Sequence, residues 1–185
     1  MKVEALAIPE VLLITPDKFG DSRGFFSETF NAKKLSVEAD IDGPFVQDNH
    51  SLSRQKGVIR GLHCQIDPHV QGKLVRVVRG AIWDVAVDAR LGSPTFGQYV
   101  AAELSAENWQ QLWIPGGFLH GFCTLVPDTE VFYKVTNYYS AAHDRGLAWD
   151  DEVLGIAWPV AKAQAILSER DRRHPSLRDL ATPFE

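Results

Sequence analysis

Short runs of apolar and β-branched residues alternate with polar positions through most of this chain, and turn-forming residues interrupt them at intervals of about ten. The pattern predicts strands over residues 11–14, 57–64, 73–80, 81–88, 98–104, 111–114, 121–125 and 129–135. In the fourth of these, Ile82, Asp84 and Ala86 share one face while Trp83, Val85 and Val87 share the other. Such spacing favours a sandwich or barrel over a parallel α/β sheet. Helical signals are fewer. Residues 27–39 carry one, with Asn31 as candidate cap and Leu35 and Val37 on the apolar side. A second lies near residues 159–167, where Pro159 can occupy a first turn. Residues 168–173 read as a charged loop or tail before His174-Pro175. The expected fold class is all-β: a jelly-roll barrel of about eight to twelve strands with short peripheral helices.

Size and charge narrow the functions. A chain of 185 residues fits one domain, 1–185, with a core large enough to need no staples. The net charge of −5 gives no reason to expect nucleic acid or an anionic membrane as partner. No apolar run approaches a membrane span, and no basic segment with an apolar core opens the chain. Cys64 and Cys123 are the only cysteines and lie among strand residues, so they read as buried free thiols. A cytoplasmic location is the expectation.

Two segments stand out. Gly61-Leu62-His63 and Pro115-Gly116-Gly117-Phe118-Leu119-His120 each set an imidazole beside permissive glycines in an apolar stretch, which is what a small barrel needs to point two histidines into one cavity. Alternation puts His63 on one face with Gly61 and Gln65, and Leu62 and Cys64 on the other. An imidazole titrates near neutrality and can take a proton from carbon if a carboxylate orients its other nitrogen. Asp171 is a candidate for that carboxylate. Taken alone, a strand histidine is more often a hydrogen-bonded core group, and a tail aspartate more often solvated. Lys73 starts a strand and can meet a developing oxyanion if it points inward. Tyr133 and Tyr139 read as packing residues or as pocket phenols. Asp21-Ser22-Arg23-Gly24-Phe25-Phe26, followed by Glu28, offers guanidinium, aromatic and carboxylate groups to a nucleotide, or forms a plain surface turn. Gln47-Asp48-Asn49-His50-Ser51 suits sugar or base recognition, or a polar turn. Arg60 has the opposite strand parity to His63, so a bulge or twist is needed to bring both to one ligand.

The spacing of His63 and His120 is similar to that of the metal-binding cupins, whose first motif is His-x-His followed by Glu. Here the second histidine's slot is Gln65, and the Glu position falls at His69 or Val70. Two nitrogens and no carboxylate are fewer ligands than a metal usually takes, so no metal is expected. The cupin-like barrel is expected to do acid–base work.

Together these stretches, with Gln71-Gly72-Lys73-Leu74-Val75, Gly80-Ala81-Ile82-Trp83-Asp84-Val85 and Tyr133-Lys134-Val135-Thr136-Asn137-Tyr138-Tyr139, resemble the dTDP-4-dehydrorhamnose 3,5-epimerases from about residue 8 to 175. That resemblance implies a homodimeric, cupin-like jelly roll acting on a dTDP-4-keto-6-deoxyhexose without metal or cofactor. It implies His63 as base with Asp171 as its carboxylate partner, Tyr133 as the acid on the far face, and Lys73 beside the enolate oxygen. His120 would line the sugar site and Tyr139 would fix the ring. Arg23, Phe26, Glu28, Gln47, Asn49 and Arg60 would hold the thymidine diphosphate, with Arg170 as a further candidate. One departure is visible: the family's usual His-Glu-Arg is His143-Asp144-Arg145 here, a carboxylate one methylene shorter, so the ligand contact expected of Asp144 is an open question. The rivals are a sister enzyme inverting one carbon or isomerising the keto-sugar, a non-catalytic sugar-binding jelly roll, and a metal-dependent cupin.

Overall fold

A computed structural model describes residues 1–179; the last six positions of the expected domain lie outside the described residues. Thirteen strands are present among them, beyond the eight to twelve expected. One antiparallel sheet of six runs β1 (Lys2–Ala5), β2 (Leu12–Thr15), β10 (Gln111–Ile114), β7 (Lys73–Arg79), β12 (Thr129–Val135), β5 (Gln47–Ser53). A second, of five, runs β13 (Asp144–Gly146), β6 (Ile59–Gln65), β11 (Phe118–Thr124), β8 (Ala81–Asp88), β9 (Tyr99–Ser105). β3 (Phe19–Asp21) and β4 (Gly24–Phe26) form a separate hairpin. The result is a cupin-like jelly roll whose two sheets face each other without closing into a barrel.

Alternation fixes which side chains meet between the sheets. Val75, Val77, Ile82, Ala86, Val100, Leu104, Leu112, Phe122 and Val131 form the inner core. The opposite parity of the five-stranded sheet, Leu62, Val85, Val87 and Leu119, packs against Leu147 and Leu154 on its outer side. Burying each such side chain contributes about 1.5–3 kcal/mol. A one-residue slip of β6 or β11 would pull those leucines from their outer packing and turn His63 and His120 outward in their place, so the register that aims the histidines is set by the leucines beside them.

The helical expectations fare differently. α1 (Ala32–Ala39) forms with Asn31 as N-cap, its side chain accepting from Lys34 N, and Leu35 is buried. Val37 is 77% exposed, so it does not share the apolar side with Leu35 as expected; two positions apart on a helix, the residues point about 200° apart. The helix expected near 159–167 is reduced to one 3₁₀ turn, Lys162–Gln164. There Val160, Ala165 and Leu167 pack on Ile59, Cys123 and Trp149, and the Ile166 backbone bridges to Val58; that extended contact overrides the helix propensity of the alanines. No helix among the described residues is long and apolar enough to cross a membrane.

Candidate active site

Between the sheets, at one end of the sandwich, lies a cleft of about 470 Å³, a size that suits a small ligand. Its two walls come from different sheets. Lys73 of β7, Tyr133 of β12 and Gln47, Asn49 and Ser51 of β5 line one; Arg60 and His63 of β6 and His120 and Phe122 of β11 line the other. Pairing explains the convergence: Tyr133 stands opposite Asn49, Val135 opposite both Gln47 and Lys73, and His120 opposite His63. Arg60 reaches the cleft because β6 carries one extra residue against β11: His120 pairs with His63 but Phe122 pairs with Arg60. This irregularity supplies the parity change that the sequence requires. Gly61 sits inside it at φ 119°, where an added Cβ would come within 2.6 Å of the His120 carbonyl oxygen and of Gly121 Cα.

His63 Nε2 lies 2.7 Å from Asp171 Oδ1. Asp171 arrives on a tail strapped across the sheet: Ile59 N donates to the Ile166 carbonyl, Ala148 N to that of Pro175, and Leu177 N to Asp151 Oδ2. Burial alone would raise the Asp171 carboxyl, but His174, His63 and Ser168 outweigh it and hold the group well below the usual carboxylate range. A second pair, His120 Nε2 to Asp84 Oδ1 at 2.6 Å, spans adjacent strands and is almost sealed from solvent, with side chains 9% and 0% exposed. Asp84 was not anticipated as a site residue; the cue was an acid on the apolar, inward face of the strand shared by Ile82 and Ala86.

Lys73 is buried, and its ammonium donates to the His63 carbonyl at 3.4 Å. Burial lowers its pKa, against the smaller pull of Cys64, Asp144 and Asp84. Burial also raises that of Tyr133, with Arg60 opposing, so the phenol keeps its proton across the neutral range. Cys64 lines the same cleft with its thiol pushed up to about 12 by burial, which leaves it an unreactive neighbour.

At the rim, Asp144 Oδ2 accepts from Tyr139 Oη at 3.1 Å and pairs with Arg170 at 2.5 Å. The shortened carboxylate is therefore engaged by two of the predicted ligand-binding residues. Gln65, unavailable as a metal imidazole, instead ties loops together: its amide donates to the carbonyls of His69 and Tyr138 and accepts from Ser140 N. Three predicted residues are not in the cleft of this chain. Arg23 pairs with Asp21 on the β3–β4 hairpin, Glu28 pairs with Lys34, and Phe26 is 69% exposed.

A sequence profile described as dTDP-4-dehydrorhamnose 3,5-epimerase matches residues 5–179. The chain belongs to the dTDP-4-dehydrorhamnose 3,5-epimerase family. It is 56% identical, over 100% of its own length and 94% of the relative's, to the enzyme of that name from Sinorhizobium fredii. A solved epimerase of this name from Bacillus anthracis, with TDP and PPi bound, is 51% identical, covers 95% of this chain and 99% of its own, and superposes with a TM-score of 0.91. The dTDP-6-deoxy-D-glucose-3,5-epimerase of Legionella pneumophila, in complex with dTDP-4-keto-L-rhamnose, gives 46% identity, coverage of 97% and 94%, and a TM-score of 0.92. Membership in this epimerase family extends over both walls of the cleft and the strapped tail.

Proposed function

We propose that this chain inverts C3 and C5 of dTDP-4-dehydro-6-deoxy-D-glucose, yielding dTDP-4-dehydro-L-rhamnose. The observation that carries the reading is the His63–Asp171 pair on one wall of the cleft, with Tyr133 and Lys73 on the other.

The 4-keto group acidifies the C–H bonds at C3 and C5, and each carbon then needs a base on one side and a proton donor on the other. Asp171 accepts the His63 Nε2 proton, which leaves the Nδ1 lone pair to take the proton from carbon; the imidazolium that forms is stabilised by the carboxylate. The resulting enolate oxygen is met by the Lys73 ammonium. Tyr133, protonated and on the opposite sheet, returns a proton from the far face. General-base help is worth about 10²–10⁴-fold, so positioning and oxyanion stabilisation supply the remainder. His120 and Tyr139 border the sugar, and Gln47, Asn49 and Arg60 extend toward the nucleotide.

The protein works as a homodimer in this reading. Phe19, Phe25 and Phe26 are 63%, 53% and 69% exposed on a hairpin that pairs with no other strand among the described residues, and Arg23 and Glu28 lie beside them. A second copy that received this hairpin would bury the aromatics and gain Arg23, Phe26 and Glu28 for its thymidine diphosphate. The reading includes a cytoplasmic enzyme, consistent with Cys64 and Cys123 both being free.

Incubation with dTDP-4-dehydro-6-deoxy-D-glucose in D₂O, followed by NMR, tests it. Deuterium at both carbons with the L-lyxo-hexulose product is the expected result. Deuterium at one carbon makes the chain a monofunctional sister enzyme, and none at either overturns the base assignment.

A further inference from the structure

The cupin positions lack a metal carboxylate and a third nitrogen or oxygen, but the tail brings both to His63. Asp171 Oδ1 stands 2.7 Å from His63 Nε2, and His174 Nε2 stands 3.6 Å from the same oxygen. Ligand atoms from all three residues lie within 4.8 Å of one another. His174 Nε2 is buried and has no hydrogen-bond partner among the described residues. Its ring is held there by the backbone: it packs on Gly146, the cross-strand neighbour of His63, so closely that an added Cβ would lie 2.4 Å from Cε1.

We propose that His63, Asp171 and His174 form a trap for a borderline divalent cation such as Zn²⁺, whose occupation disables the epimerase. Two imidazole nitrogens and one carboxylate oxygen are a common protein donor set for zinc, with water as fourth ligand from the open side. Tetrahedral bonds of about 2.0–2.1 Å separate ligand atoms by about 3.3 Å, so the two carboxylate edges must change by well under 1 Å and the edge between the imidazoles, within 4.8 Å, must close by up to about 1.5 Å. The His174 ring nitrogen is already desolvated and unpartnered. Lys73 on the facing wall is the charge that opposes entry.

The inhibitory part rests on the reading of His63 as base. In the active arrangement the Nε2 proton points at Asp171 and Nδ1 holds the free lone pair. A cation on Nε2 takes that nitrogen's lone pair, so the neutral ring must carry its single proton on Nδ1, a tautomer shift that releases no proton. The lone pair that takes the C–H proton is gone, while the fold is untouched. The cation is an inhibitor of the cleft and takes no part in turnover.

Chelator-treated protein should be titrated with Co²⁺ and followed by visible absorption, then challenged with Zn²⁺, in the wild type and in His174→Ala and His174→Asn. The expected result is one Co²⁺ per chain with the intense bands of a four-coordinate ion, displaced by Zn²⁺. Both variants should bind about 100-fold more weakly or worse, since loss of even an outer partner costs 10–100-fold in affinity. In chelator they should turn over within a few-fold of wild type, and they should stay active at Zn²⁺ concentrations that silence it. His174→Asn keeps a polar group against Gly146 and guards against a variant that fails to fold. Absence of stoichiometric Co²⁺ bands, or equal zinc inhibition in all three proteins, overturns the proposal. Variants that lose basal turnover with unchanged metal affinity overturn it too, by making His174 a buttress for Asp171. The Co²⁺ spectrum needs no turnover, so failure of the epimerase reading would register separately in the deuterium experiment.

Discussion

His120 and Asp84 approach to 2.6 Å across adjacent strands, whereas His63 and Asp171, 2.7 Å apart, join a strand to a tail 108 residues away. The bonds are nearly equal, but their surroundings are not. Asp84 is fully buried and its partner nearly so, while the His63 side chain is 32% exposed to the cleft. One pair is part of the sheet and cannot move without it. The other is assembled only when the strap of residues 166–177 is fastened, and its imidazole keeps access to a ligand. The same two chemical groups thus serve one purpose where the fold surrounds them and another where it leaves one side open.

The sharpest way to break this contrast is to exchange the histidines singly for asparagine. His63→Asn should lower deuterium exchange at C3 and C5 by about 10²–10⁴-fold with little change in thermal midpoint. His120→Asn should lower turnover less and the midpoint more. The reverse pattern would transfer the base assignment to the sheet-bound pair. The carboxylates give the complementary test in stability. Asp84→Ala leaves a sealed imidazole without its partner and should cost about 3 kcal/mol in chemical denaturation. Asp171→Ala leaves the His63 imidazole within reach of cleft water, at about 1 kcal/mol. Equal losses would mean that the tail pair is as structural as the other.

This contrast also explains what could be read from the chain. Strands with one apolar face, such as β7, β8 and β12, were legible because alternation and burial agree. β5 was not, because its inward positions Gln47, Asn49 and Ser51 are polar and face the cleft, which inverts the pattern that marks a strand. His63 and His120 were legible as a pair because glycines and leucines flank both. Asp84 was visible only as an acid on a core face, and no local signal links it to His120. Pairing of Asp171 with His63 was implied by family resemblance alone, since nothing in residues 168–173 encodes where a strap will dock. His174 carried no signal at all: its place depends on the bare backbone at Gly146, a contact made in three dimensions only. Arg23, Phe26 and Glu28 fit the nucleotide by resemblance, yet lie off the cleft of their own chain.

Lys73 sharpens the comparison from the opposite wall. It is a buried cation with one weak hydrogen bond, an arrangement that costs stability. Lys73→Met should reduce turnover by about 10²-fold through loss of oxyanion stabilisation. It should also stabilise the fold by about 1 kcal/mol, because a similar volume is filled without a desolvated charge. Turnover and denaturation of this one variant decide the matter. A destabilised Lys73→Met would mean that the ammonium is held by partners beyond the His63 carbonyl.

The smallest effect isolates the tail pair by pH. The folded-state pKa of Asp171 lies below its unfolded value of about 3.9, so the folded protein holds the ionised form more tightly than the unfolded chain does. Its stabilisation is fully present above about pH 4 and is lost as pH falls from there through the lower folded-state value. Asp171→Asn cannot titrate, so the variant should be less stable than wild type at pH 6 and should lose less stability between about pH 4 and 2. Thermal midpoints of both proteins across that range should converge as the acid protonates. Parallel curves would mean that His63 holds the carboxylate equally well in the unfolded chain, which a contact spanning 108 residues gives no reason to expect.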